Sequence, residues 1–254
     1  MSYIVLAYNF IFYQPLFNAL VWLYNTIPGH DIGLAIVLLT ILIRLILFPL
    51  YYQSIKSQKS LQEIQPKIDA LRKQYKAKED QEKLAKEMMI LYKNENVNPF
   101  SSCLPLLIQL PFLLALYQVF IDGLKSQSFE LLYSFVKNPG TINTISLGFL
   151  NLSQPNIVLA LLAGLAQFWQ SKMMITKRPP LVKGKEISGS ADEKMTAMVN
   201  KQIVYFMPMF TVIIGISLPS GLTLYWFFST LLMALQQVWM FKKHANRDIQ
   251  NLEQ

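Results

Sequence analysis

The chain has 254 residues, 53% of them hydrophobic and 15% charged, with a mean hydropathy of +0.32 and a formal net charge of +8. That balance excludes an ordinary soluble domain and places the chain among integral membrane proteins. Its single cysteine, Cys103, excludes an intramolecular disulfide and a paired-thiol metal site.

Residues 1–29 mix Tyr, Phe, Trp, Asn and Gln around Pro15, with no charge before residue 30. Such an aromatic-rich stretch is expected to be an external amphipathic helix at the membrane interface, with a span broken at Pro15 as the alternative. It carries no Lys or Arg ahead of its apolar residues and no cleavage site, so it reads as neither secretory signal nor transit peptide.

The run 32–52 is apolar except for Arg44. About 20 apolar residues at ~1.5 Å each cross the hydrocarbon, so residues 30–55 are expected to hold the first transmembrane helix, with Arg44 near mid-depth. A cation there costs roughly 2.5–3.5 kcal/mol on insertion scales. No Asp or Glu lies inside any other expected span. A water-filled functional cavity therefore accounts for Arg44 better than an ion pair or snorkelling does.

Residues 56–97 form a charged insertion with helical periodicity. Leu61, Ile64, Ile68, Leu71 and Tyr75 recur at spacings of three and four, and Leu84, Met88 and Leu91 repeat the pattern after Lys78, Glu79 and Asp80. Glu79–Lys83 and Glu82–Lys86 have the helix-supporting spacing. A cytoplasmic helical hairpin is expected.

The segment 98–241 holds four further expected transmembrane helices, at about 99–121, 156–173, 202–218 and 221–241. Pro99, Pro105 and Pro111 punctuate the first of these, and Pro208 the third. Each proline removes a backbone donor and bends its helix, which favours a bundle enclosing a cavity. Residues 141–154 read as an irregular external loop, and 174–200 as a flexible cytoplasmic loop rich in Pro, Gly, Ser and Lys. Pro219-Ser220-Gly221 leaves room only for a tight helical hairpin. Residues 242–254 are a short cytoplasmic tail.

Charge sets the expected orientation. Twenty of the 23 basic residues fall in the hairpin, the 172–201 region and the tail, whereas only Lys125 and Lys137 fall in the connections on the other side. By the positive-inside rule the N-terminus is outside and the C-terminus is cytoplasmic. The positive charge is thus a topology signal, and sequence-specific nucleic-acid binding is not expected.

No catalytic constellation is visible. His30 and His244 fall on opposite sides of the membrane, and HExxH and P-loop motifs are absent. An enzyme is not expected, nor a cofactor or catalytic metal. The expected spans instead carry uncharged polar groups: Gln109, Gln167, Gln170, Thr223, Tyr225 and Trp226. Amides in hydrocarbon must be bonded, so these residues are either interhelical glue or the lining of a polar groove. A small-anion channel or transporter built on Arg44 is the competing class, although no internal repeat supports it.

The stretches LAIVLLTILIRLILFPL, LQEIQPKIDALRKQYK, NPFSSCLPLLIQLPFLLALY, LLAGLAQFWQSKM and VYFMPMFTVIIGISLPSGLTLYW follow in an order that resembles the YidC/Oxa/Alb family of membrane protein insertases, in a short form without a periplasmic domain. The resemblance covers residues 18–239. It implies an all-α bundle of five transmembrane helices with an N-terminal interfacial helix and a cytoplasmic hairpin. It also implies a hydrophilic groove open to cytoplasm and lipid, in a bacterial plasma membrane. The family's groove arginine falls on Arg44, its second-span glutamine on Gln109 and its LYW tryptophan on Trp226; Gln167 and Gln170 stand where third-span polar residues occur. The implied activity is insertion and folding of nascent membrane proteins without ATP hydrolysis, alone or with the Sec translocon. Ribosome and signal recognition components are further candidate partners, though the tail holds only Lys242, Lys243 and Arg247 as basic residues.

Overall fold

The computed structural model describes residues 3–75, 80–98, 104–123, 126–175 and 204–252. The cytoplasmic loop expected after residue 175, the Lys78-Glu79 break with the Glu79–Lys83 pair, and the Pro99–Cys103 start of the second span lie outside these residues. The chain forms two compact units, one of Met1–Leu47, Ile108–Gln170 and Met207–Gln254, the other of Phe48–Leu107 and Ser171–Phe206.

In the first unit, α1 runs from Tyr3 to Thr26 and is long and apolar enough to cross a membrane. Proline 15 does not break it, because the helix passes through a π-turn at Asn9–Tyr13 just upstream. A wider turn there relaxes the backbone where Pro15 supplies no N–H. The second half of α1 buries Leu16, Phe17, Leu20, Val21 and Tyr24 at helical spacing. Its amides have work as well. Gln14 Nε2 donates to the Leu131 carbonyl at 3.0 Å, and Asn18 Nδ2 donates to the same oxygen at 3.1 Å while its Oδ1 accepts from Tyr133 N at 2.6 Å. Asn25 Nδ2 donates to Lys137 O at 2.7 Å, and the Tyr24 hydroxyl accepts from Asn143 N at 3.0 Å. The polar residues that suggested an interfacial helix thus stitch α1 to the 131–143 connection.

Helix α2 spans Ile32–Ile46 and α3 spans Phe48–Glu63. The expected continuous helix over 30–55 is therefore two helices that part at Leu47, with Pro49 in the first turn of α3. Proline suits a first turn but cannot donate within a continuing helix, which gives the break its cause. Helices α4 (Gln65–Gln74) and α5 (Gln81–Asn94) follow, then α6 (Leu104–Gln118), extended by a π-turn at Val119–Gly123.

A short helical turn at Ser126–Leu131 leads to an antiparallel pair, β1 (Ile145–Ser146) and β2 (Leu150–Asn151), with Ile145 opposite Asn151 and Ser146 opposite Leu150. This hairpin lies inside the stretch expected to be irregular. Its turn is possible because Leu147 and Gly148 both take positive φ, 52° and 80°. Among the described residues the remaining helices are α7 (Ile157–Ile175), α8 (Val204–Gly215) and α9 (Ser220–Leu252).

The core of this unit gathers α1, α2, α6 and α9 around residues such as Phe17, Leu20, Ile36, Leu116 and Tyr225, each 1% exposed or less. Phe12 meets Phe112 edge-on at 5.5 Å, joining α1 to α6. Helices α7 and α8 approach through small residues: a Cβ on Gly164 would lie 2.4 Å from Val212 Cγ2, and one on Gly215 would lie 3.0 Å from Ala160 Cβ. Close backbone approach of this kind is how helices associate in lipid, where apolar burial alone supplies no preference.

In the second unit α4 and α5 pack together. Ile64, Ile68 and Val97 form a small core, with Leu61, Met88, Leu91 and Tyr92 against it. The first hairpin helix is broken at Ile64 because Pro66 opens α4. Glu82 and Lys86 pair at 2.9 Å, and Lys67 pairs with Glu95 across the hairpin.

Candidate functional site: a buried arginine network

Arg44 lies in the last turn of α2 and is 9% exposed. A cation is favoured there by the carbonyls that end the helix, though the apolar surroundings oppose it. Three side chains from two other helices offset that cost. Tyr225 and Ser229 stand one turn apart on α9, facing α2, and Gln109 projects from α6 just before Pro111.

Arg44 Nε donates to Ser229 Oγ at 3.1 Å and Nη2 donates to the same oxygen at 2.5 Å. Nη2 also reaches Gln109 Oε1 at 3.4 Å. Ser229 Oγ donates to that carbonyl oxygen at 3.3 Å, and Gln109 Nε2 donates to the Tyr225 hydroxyl at 2.5 Å. The serine oxygen therefore accepts from the guanidinium and donates to the amide, which sets the orientation of all four groups. These partners are neutral: they orient the guanidinium and leave its charge in place.

The residues singled out from sequence separate into groups. Arg44, Gln109 and Tyr225 meet in this network. Thr223 is wholly buried, and its hydroxyl donates to the Gly215 carbonyl at 3.3 Å, tying α9 to α8. On α7 Gln170 is buried and Gln167 half-buried, and Trp226 on α9 is half-buried. These three are not part of the network. Ser229 was missed by sequence reasoning: it lies four residues after Tyr225, on the same face of α9, but a helical serine by itself signals no role.

A second polar cluster sits at the opposite end of α2, about 20 Å away at ~1.5 Å per residue. Asp31 caps α2, its Oδ1 accepting from Leu34 N at 3.0 Å and from Ser146 Oγ at 2.6 Å, its Oδ2 from Leu147 N at 2.6 Å. Desolvation pushes the Asp31 carboxyl upward, but the hydrogen bonds from Leu147, Ser146, Leu34 and Gly33 outweigh it and hold it below the usual carboxylate range. The same β-hairpin takes Ser220 Oγ on the Asn151 carbonyl at 2.8 Å and Gly221 N on the Leu152 carbonyl at 2.9 Å. It thus closes over the N-termini of α2 and α9, the two helices that carry Arg44 and Ser229. Among the described residues no cluster of His, Cys, Asp or Glu could hold a metal ion.

Several known proteins are similar to this chain. Residues 22–247 match the model of the 60Kd inner membrane protein family. The membrane protein insertase YidC of Wolinella succinogenes is 33% identical over 240 residues, covering 94% of this chain and 39% of that protein. Membrane protein insertase YidC 1 of Halalkalibacterium halodurans is 34% identical over 228 residues, covering 89% of this chain and 75% of that protein. A crystal structure of an active YidC insertase with its first transmembrane domain resolved superposes with a TM-score of 0.54 at 27% identity, covering 88% of this chain and 45% of that one. The chain thus spans less than half of the Wolinella relative and of the solved structure.

Proposed function

The chain belongs to the 60Kd inner membrane protein family, and we propose from that premise that it is a membrane protein insertase and chaperone, acting without enzymatic chemistry and without ATP hydrolysis. The observation that carries the reading is the Arg44 network: a buried guanidinium held by Ser229 and Gln109, in a chain about a third identical to named insertases.

The physical task is to move a short polar segment of a nascent chain across hydrocarbon. Arg44 attracts acidic groups in that segment, and the attraction strengthens as the local dielectric falls. Gln109, Tyr225 and Ser229 hold the guanidinium in place, and with Gln167, Gln170, Thr223 and Trp226 we assign them to a hydrophilic groove open to cytoplasm and lipid. The hairpin clasped by Asp31 and Ser220 closes the other end. The substrate's apolar helix then leaves sideways into lipid, driven by about 25 cal/mol per Å² of apolar surface buried. In this reading five helices span the membrane around the groove, the N-terminus is outside, and the C-terminus is cytoplasmic, as the charge distribution supports. The hairpin of α4 and α5 receives the incoming chain, with the Sec translocon, the ribosome and signal recognition components as partners.

The test is reconstitution in liposomes with single-span substrates whose translocated tails are acidic or neutral. Arg44→Ala is expected to impair insertion of the acidic-tailed substrate by roughly tenfold, the factor for ~1.4 kcal/mol of lost charge interaction, and Arg44→Lys to retain part of the activity. Normal insertion of every substrate by Arg44→Ala sinks the groove-charge mechanism. Anion flux through the same liposomes without insertion identifies a channel instead.

A further inference from the structure

Helix α9 carries more polar groups than the Arg44 network uses. Beyond Ser229 its buried stripe continues through Met233, Ala234, Gln237, Met240 and Phe241. At ~3.6 residues per turn and ~1.5 Å per residue, Gln236 lies within about 20° of Ser229 around the axis and about 10 Å farther toward the C-terminus. Gln237 is 0% exposed, and among the described residues neither its Oε1 nor its Nε2 has a hydrogen-bond partner. The Nε2 of Gln236 is likewise buried without one.

The residues one turn away on the Gln237 face, Met233, Ala234, Met240 and Phe241, have no side-chain hydrogen-bond donor or strong acceptor to offer. A buried amide in that state has given up water for nothing, which works against the closed bundle. Methionine would fill a similar volume at this point without the penalty. Two adjacent glutamines make sense where a partner arrives during function.

We propose that Gln236 and Gln237 form a second polar station of the insertion path, hydrogen-bonding the peptide amides of the incoming polypeptide before its polar segment reaches Arg44. The inference rests on the insertase reading. A glutamine amide presents an acceptor and donors in one plane, the complement of a backbone N–H and C=O. Recognition at this station is therefore independent of the passing chain's sequence, whereas Arg44 selects negative charge.

The test uses the full chain in liposomes with acidic-tailed and neutral-tailed substrates, and the double variant Gln236→Met, Gln237→Met. The variant is expected to unfold at a higher temperature in detergent and to insert both substrates roughly fivefold more slowly, the factor for one net hydrogen bond of ~1 kcal/mol. A photoreactive residue at position 237 is expected to crosslink to a stalled substrate, and one at Leu235, on the opposite side of α9, is not. Wild-type rates for both substrates overturn the station, as does a lowered unfolding temperature, which assigns the amides to bonds within the resting protein. A loss confined to the acidic-tailed substrate also overturns it, because that is the signature of Arg44. If the wild type inserts neither substrate, the insertase reading itself fails.

Discussion

Arg44 is tolerated in an apolar bundle because hydroxyl and amide groups from α6 and α9 reach it, with Ser229 Oγ accepting from both Nε and Nη2. Ser229→Ala is expected to lower unfolding stability by about 1.5–3 kcal/mol, the scale of a hydrogen bond to a charged group, while Ser229→Thr keeps most of it. Thermal unfolding in detergent measures this, and an unchanged midpoint in Ser229→Ala would mean that other groups solvate the guanidinium. Arg44, Gln109 and Tyr225 were legible in the sequence because each is a polar residue in a long apolar run. Ser229 was not, since a helical serine commonly bonds the carbonyl one turn back and signals nothing. Asp31 was equally silent, because its partners Ser146 and Leu147 lie more than a hundred residues away in sequence. Its depressed carboxyl gives a signed prediction. A group whose folded pKa is lowered stabilises the fold fully above its unfolded value, here near 3.8, and loses that contribution as pH falls through the folded value. Acidification below that point should therefore lower the unfolding temperature. Asp31→Asn should cost about 1 kcal/mol at neutral pH, as lost helix caps do, and should flatten the acid limb. An acid limb identical in wild type and variant would show that other carboxylates govern it.

At the scale of elements, polar residues on an otherwise apolar helix serve a neighbouring segment. Gln14, Asn18, Tyr24 and Asn25 each bond the backbone of the 131–143 connection, a partner that periodicity cannot reveal. The break between α2 and α3 was written in Pro49, but a long apolar run masked it. The α7–α8 contact tests how closely these helices must approach. Gly164→Ala places a Cβ against Val212 Cγ2 and near the Pro208 carbonyl oxygen, a β-branched side chain and a backbone atom that cannot easily yield. A cost of about 1–3 kcal/mol is expected from such overpacking, read as a lower unfolding temperature that Gly164→Ala with Val212→Ala partly restores. No rescue by the second substitution would place the strain elsewhere.

For the whole molecule, the division into two compact units separates the Arg44 bundle from the segment holding α4 and α5. The hairpin has its own small core of Ile64, Ile68 and Val97. Replacing residues 61–97 by a short polar linker is expected to shift the unfolding midpoint by no more than about 2–4 °C, the change that accompanies ~1 kcal/mol in a chain of this size. Insertion should fall nonetheless. Collapse of the shortened bundle in detergent would instead give the hairpin a structural role.

Composition, the run of apolar segments and the lone cation among them were sufficient for a helical membrane protein, the charged hairpin and a polar residue held inside the bundle. These are local properties: each follows from a window of residues and the energy of placing it in lipid. Which hydroxyl meets Arg44, which amides stitch α1 to a distant connection, and which hairpin caps α2 and α9 were decided only in three dimensions. Each depends on groups brought together from far apart in the chain, where hydrogen-bond geometry within about 3 Å selects one partner among many chemically equivalent ones.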